Sequence, residues 1–131
     1  MAVGLDCGTA FLVAARNDKI TNVKKERNAF FELVHSKETV NILQSVGAKF
    51  IEADNKLYII GESALSFANT FGTEARRPMA KGTISNKEED AKIVMMEIFA
   101  SLLGEPKSKQ ELCCYSVPAQ VIDQTPVDTE Y

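Results

Sequence analysis

The 131-residue sequence is short of several things, and each shortage narrows what the protein can be. It has one histidine, His35, and three cysteines, of which Cys113 and Cys114 are adjacent and none forms a C-x-x-C. A usual zinc site is therefore excluded. An odd, unpaired cysteine set points to a reducing compartment rather than a disulfide framework. No apolar run approaches the ~18–20 residues needed to span a bilayer. The start, Met1–Asp6, lacks a basic region and a long apolar core, so no signal peptide is expected and the reading is cytoplasmic. Neither sign of charge dominates: 15 Lys and Arg face 18 Asp and Glu, a net charge of -3. That argues against a direct nucleic-acid partner.

What is present is ordinary for a globular domain: 45% hydrophobic and 25% charged residues, without repeats or low-complexity tracts. A chain of this length makes one domain and buries roughly two-thirds of its unfolded surface. Val3–Cys7 and Ala10–Arg16 read as strands joined at Gly8-Thr9. The second is apolar on both faces, so both should be covered. After the turn cluster Asn17-Asp18-Lys19, Ile20–Val34 reads as one longer strand with an exposed, charged first half. Ser36–Val46 is a short helix capped by Ser36 and closed by Gly47. Ala48–Ala53 and Lys56–Ile60 form a hairpin around Asp54-Asn55, residues that tolerate left-handed backbone. Gly61–Asn69 is a further helix, and Gly72–Lys81 a loop.

Lys87–Leu103 is the strongest helix. Ser85 and Glu88 have capping-box spacing, Glu88-Glu89-Asp90 suit the first turn, and Gly104 ends it. One stripe carries Val94, Met95, Ile98 and Leu102. A second set, Ile93, Met96, Ala100 and Leu103, lies away from it, so the helix should be buried from two sides in a complete protein. Leu112–Val117 reads as a buried strand stopped by Pro118, and Cys113 and Cys114 as its inert structural thiols. Ala119–Tyr131 is polar. The order strand-strand-strand, helix, hairpin, helix, helix, strand is mixed α/β.

Chemistry concentrates in Gly4-Leu5-Asp6-Cys7-Gly8-Thr9-Ala10. A carboxylate ends the first strand, and a glycine and a hydroxyl residue follow. Successive N–H groups in such a turn make an anion-binding concavity, and Asp6 could hold a hydrated Mg²⁺. The same residues equally describe a plain hairpin turn in which Asp6 caps nearby N–H groups. His35 is read as a surface residue. Arg76 and Arg77 are read as solvated loop charges, Arg77 pairing locally.

Four segments in order resemble the actin, Hsp70 and sugar-kinase superfamily, closest in wording to bacterial actins of the MreB type. Val3–Ala10 is similar to its first phosphate loop. Tyr58–Ala64 resembles its strand followed by "VG-E-A". Arg77-Pro78-Met79-Ala80-Lys81-Gly82-Thr83-Ile84 is similar to "RP-x-x-x-G-x-I". Tyr115-Ser116-Val117-Pro118 resembles its strand ending in "VP". The resemblance implies the N-terminal portion of a ribonuclease H-like actin ATPase domain, with residues 36–80 as a small inserted subdomain. It implies that Asp6 positions Mg²⁺ through water and that Gly8 and Thr9 bind the terminal phosphates of ATP. No lysine stands in Leu12-Val13-Ala14, where some relatives reach the phosphates. Relatives are more than twice as long, and no second D-x-G-G/T loop follows here. The expectation is a fragment or natural truncation, a half-site of a filament-forming, self-associating ATPase in DNA segregation or cell shape, inactive alone. A stand-alone interaction module is the rival, and a fragment of a sugar or acetate kinase a third, disfavoured by the R-P-x-x-x-G segment.

Overall fold

In a computed structural model, residues 2–16, 22–80 and 83–116 are described. In chain order the elements are β1 (Ala2–Cys7), β2 (Phe11–Arg16), β3 (Val23–Arg27), β4 (Phe30–Val34), α1 (Lys37–Ser45), β5 (Phe50–Ala53) and β6 (Lys56–Ile60). They continue with α2 (Glu62–Phe67), β7 (Met79–Ala80), β8 (Thr83–Ile84), α3 (Ala91–Leu103) and β9 (Leu112–Tyr115). The first sheet has the order β3-β2-β1-β9. Its β1–β2 and β2–β3 pairs are antiparallel, whereas β9 lies parallel to β1 with Cys114 opposite Gly4. The second sheet, β4-β6-β5, is antiparallel, and β7 and β8 pair as a small ribbon whose first strand lies in the segment 72–81 expected to be loop.

Of the single strand expected over Ile20–Val34, the described residues form two strands in two sheets. The break falls at Asn28-Ala29, where the Asn28 amide turns inward to bond Thr9 and Met79 and the Ala29 carbonyl accepts the Gly61 N–H. These long-range bonds pull the chain out of the first sheet and into the second.

The alternation of strand side chains then divides the interior. Phe30, Tyr58 and Ile60 face one side of the second sheet and join Leu5, Leu12 and Ala14 under the α3 stripe Val94, Met95, Ile98 and Leu102. Phe31, Leu57 and Ile59 face the other side and pack with Leu43 of α1 and Ala64 of α2. A run of four apolar residues at 57–60 is thus explained by burial on both faces, each large side chain contributing about 1.5–3 kcal/mol. In β2 only Leu12 and Ala14 are fully buried. The other face is covered in part by Lys25 and Arg27, whose charges lie 3.6 and 4.0 Å from the Phe11 ring centre.

Local signals hold for α1 and the hairpin. The Ser36 hydroxyl accepts the Thr39 N–H at 3.1 Å, and Asp54 and Asn55 adopt φ of 50° and 60°. For α3 the expected start is corrected. The helix begins at Ala91, and Asp90 at its cap makes no side-chain capping bond. Glu88 donates its backbone N–H to the Ser85 carbonyl rather than entering a capping box. The acidic side chains go elsewhere, Asp90 to Lys56 at 3.2 Å and Glu88 to Arg76 at 3.6 Å.

A second correction concerns β9. All four of its residues are exposed, Cys113 and Cys114 included. It is the edge strand of its sheet, and nothing among the described residues covers it. Asn17-Asp18-Lys19, Val117-Pro118 and Ala119–Tyr131 lie outside the described residues.

Candidate functional site

The turn between β1 and β2 is the tightest feature of the first sheet. The Gly8 N–H donates to the Phe11 carbonyl at 3.0 Å. A Cβ at Gly8 would lie 2.6 Å from that oxygen, so a side chain there would force the turn open. Thr9 and Ala10 form the exposed tip. Their carbonyls turn inward: Thr9 accepts from the Asn28 Nδ2 at 2.8 Å and Ala10 from the Asn28 backbone N–H at 3.1 Å. The backbone N–H groups of Thr9 and Ala10 have no partner among the described residues. They are the donors left for an anion, since that of Gly8 is already engaged.

Asp6 is the penultimate residue of β1, close to this tip. The Ser116 hydroxyl donates to its Oδ1 at 2.8 Å and accepts the Cys7 N–H at 3.1 Å. The Ser116 N–H reaches the Leu5 carbonyl. Ser116 therefore ties the end of β9 to the end of β1 and holds one carboxylate oxygen, leaving Oδ2 without a protein partner among the described residues. Such an arrangement fits a hydrated Mg²⁺, which uses one or two carboxylates and keeps its waters. No group of three His, Cys, Asp or Glu converges among the described residues, so a metal cage built from protein alone is not present there. Burial, then the Asp6 charge and Cys113, raise the Cys7 thiol above its ordinary value, which keeps it protonated and unreactive.

Beside the turn, an open groove of about 600 Å³ runs between α3 and the first sheet, lined by Leu5, Cys7, Met79, Met95, Phe99 and Tyr115. Its lining is mostly apolar, with Lys92 its one charged residue among the described residues. Met96 and Ala100 on the second α3 stripe are exposed, and Ile93 and Leu103 half-buried, as expected for a helix lacking its second cover.

The remaining candidates are structural. His35 lies 2.8 Å from Glu52 in a surface pair. Arg76 and Arg77 exchange their expected parts. Arg76 approaches Glu32 and Glu88 and stacks 4.9 Å from the Phe30 ring centre, while Arg77 is simply exposed. Sequence reasoning missed Asn28 and Ser116. Ser116 stood inside the Tyr115–Pro118 motif without a role. Asn28 left only a faint signal, a polar residue where a charged run meets an apolar one.

Comparison with known proteins bears on the fold. No curated protein matches the sequence. The MamK double helical filament matches in structure with a TM-score of 0.56 and 17% identity, over 92% of this chain and 33% of that one. A non-polymerising MamK mutant bound to AMPPNP matches with a TM-score of 0.51 and 15% identity, over 87% and 30%. The chain thus spans about a third of the length of these structures. MamK is an actin-like filament protein, and the likeness shows the actin-like fold that the four sequence motifs imply. Residues 1–131 match the Volactin family over their whole length, and the chain belongs to that family.

Proposed function

We propose that this chain supplies one jaw of a nucleotide site in an actin-like, filament-forming protein. The observation that carries the reading is the meeting, at one end of β1, of a carboxylate with a free oxygen and a turn tip with free N–H donors. Thr9, through its N–H and hydroxyl, and Ala10, through its N–H, would meet the terminal phosphates of ATP. Gly8 contributes the absence of a side chain, which lets the tip stay closed. Asp6 would hold Mg²⁺ through water, a cation that offsets phosphate charge. In phosphoryl transfer the protein acts chiefly by such positioning and electrostatics. That a related fold has been seen bound to AMPPNP supports a nucleotide as the ligand. The second sheet with α1 and α2 is read as the inserted subdomain around residues 36–80, its first strand β4 starting a few residues earlier. DNA segregation or cell shape are the roles in view for the filament.

The facing jaw would be a second phosphate loop, which the 131 residues do not contain. The chain alone should therefore bind Mg-ATP no more tightly than roughly 1 mM, worth about -4 kcal/mol, and should not turn it over. Calorimetry with and without Mg²⁺ checks this. Asp6→Ala should abolish the Mg²⁺ dependence while circular dichroism stays unchanged. Micromolar affinity would overturn the half-site. A weak affinity indifferent to Asp6 would reduce that residue to a turn cap. The apolar groove favours one rival, a non-catalytic interaction module of the same fold, for which phosphate would not perturb the turn at all.

A further inference from the structure

The geometry points to Asn28 as a positioning residue for the phosphate turn, acting through the Thr9–Ala10 peptide; this role rests on the phosphate-binding reading above. Asn28 is buried, 2% exposed, and apart from the Tyr58 hydroxyl its Oδ1 is the buried side-chain polar atom without a partner among the described residues. Its Nδ2 donates to the Thr9 carbonyl at 2.8 Å and to the Met79 carbonyl at 3.1 Å. Its backbone N–H takes the Ala10 carbonyl at 3.1 Å. One residue thus binds both carbonyls of the turn tip and anchors them to β7.

The consequence for the donors follows from peptide geometry. No peptide bond among the described residues is cis. In a trans peptide the C=O of one residue and the N–H of the next point to opposite sides of the chain. With the Thr9 C=O held inward on Nδ2, the Ala10 N–H must face outward, away from the core and toward the space beyond the tip. Asn28 therefore sets the direction of a donor it does not touch. A donor aimed in advance costs no reorganisation when the anion arrives, which is the source of its effect.

The chemistry of Asn28 argues that packing alone does not explain it. Its Oδ1 is buried without a hydrogen-bond partner. A buried orphan acceptor is unfavourable, and an apolar side chain at the same place would avoid it. An apolar side chain would also free the Thr9 carbonyl and let the tip rotate. A carboxylate of the same shape would repel that carbonyl instead of holding it. Turn orientation is the property that only the amide secures.

Solution NMR of the whole chain tests this, with inorganic pyrophosphate as the probe. In the wild-type chain the Thr9 and Ala10 amide signals should shift on titration. Asn28→Ala and Asn28→Asp should each lower the order of the Thr9–Ala10 amides before any ligand is added, and weaken pyrophosphate binding by about tenfold. Asn28→Asp keeps the volume and serves if Asn28→Ala does not fold. Leu43→Ala, in the other hydrophobic cluster, should lose global stability yet keep both turn order and binding. Asn28 variants that lose stability but retain an ordered tip and wild-type affinity would overturn the positioning role alone. Wild-type amides that ignore pyrophosphate would overturn the phosphate reading, and this role with it.

Discussion

Glu26 uses both carboxylate oxygens at the seam between the two sheets. Its Oε1 accepts the backbone N–H groups of Arg27 at 3.0 Å and Glu62 at 2.9 Å, and its Oε2 the Lys49 ammonium at 2.8 Å. Gly61 is required by this contact. Its φ is +65°, and a Cβ there would lie 2.1 Å from Oε1. The "G-E" of the second motif is thus a backbone gap through which one carboxylate pins the start of α2. Burial alone would raise the Glu26 pKa, but Lys49 and the two N–H donors win and lower it. A carboxylate lowered in the folded state stabilises above its unfolded pKa, near 4.3, and that contribution is lost as pH falls through the folded value. Glu26→Gln should therefore cost about 1–2 kcal/mol at pH 7. The gap to wild type should close below about pH 4. Urea midpoints at both pH values check it, and a difference independent of pH would show that charge is irrelevant there.

Among elements, the β5–β6 hairpin is decided locally and α3 is not. Asp54 and Asn55 both take positive φ, the two-residue turn whose twist suits paired strands. Asn55→Gly should be neutral or stabilising by about 0.5 kcal/mol, and Asn55→Val destabilising by about 1–2 kcal/mol, since a β-branched residue is strained at such a φ. Thermal midpoints check both, and a well-tolerated valine would mean that the turn changes type. The α3 start answers to distant partners. Asp90 faces Lys56 and Tyr58 of β6, and although burial raises its pKa, those neighbours lower it overall. Burial and the Asp90 charge push the Tyr58 hydroxyl up to about 12, so it remains protonated. At the other end Arg16 of β2 bonds Glu111 and the carbonyl of Leu103, fastening the α3–β9 connection to the first sheet. The helix is held at both ends by side chains from other strands, which is why its own capping signals misplace its start.

For the molecule as a whole, the uneven covering of the first sheet is the decisive feature. One face carries a closed core, while β9 and the second α3 stripe stand open, with Met96 64%, Leu112 68% and Tyr115 61% exposed. Met96 and Tyr115 meet at the groove between α3 and the sheet, whereas Leu112 lies on the opposite face of its strand. Exposed apolar surface of this kind favours association, and β9 adds an uncharged edge with no further neighbour among the described residues. The chain should self-associate, and Met96→Glu with Leu103→Lys should yield a monomer of unchanged circular dichroism. Light scattering across a concentration series decides it. A wild-type chain that stays monomeric at high concentration would show that the open face does not drive association.

The strands β1, β2 and β6, the capped helix α1 and the hairpin turn were legible from sequence, because periodicity and turn chemistry act between neighbours. Asp6, Gly8 and Thr9 stood out as a candidate site through the order of four short motifs, but that the Gly8 N–H is spent on the Phe11 carbonyl was not legible. The break at Asn28, the exposure of Cys113 and Cys114, and the true start of α3 were not. Each depends on contacts between distant residues. Asn28 meets Met79 across 51 positions, and Ser116 meets Asp6 across 110. An apolar strand reads the same in sequence whether its faces are covered or bare. Only the folded chain settles which neighbours arrive to cover them.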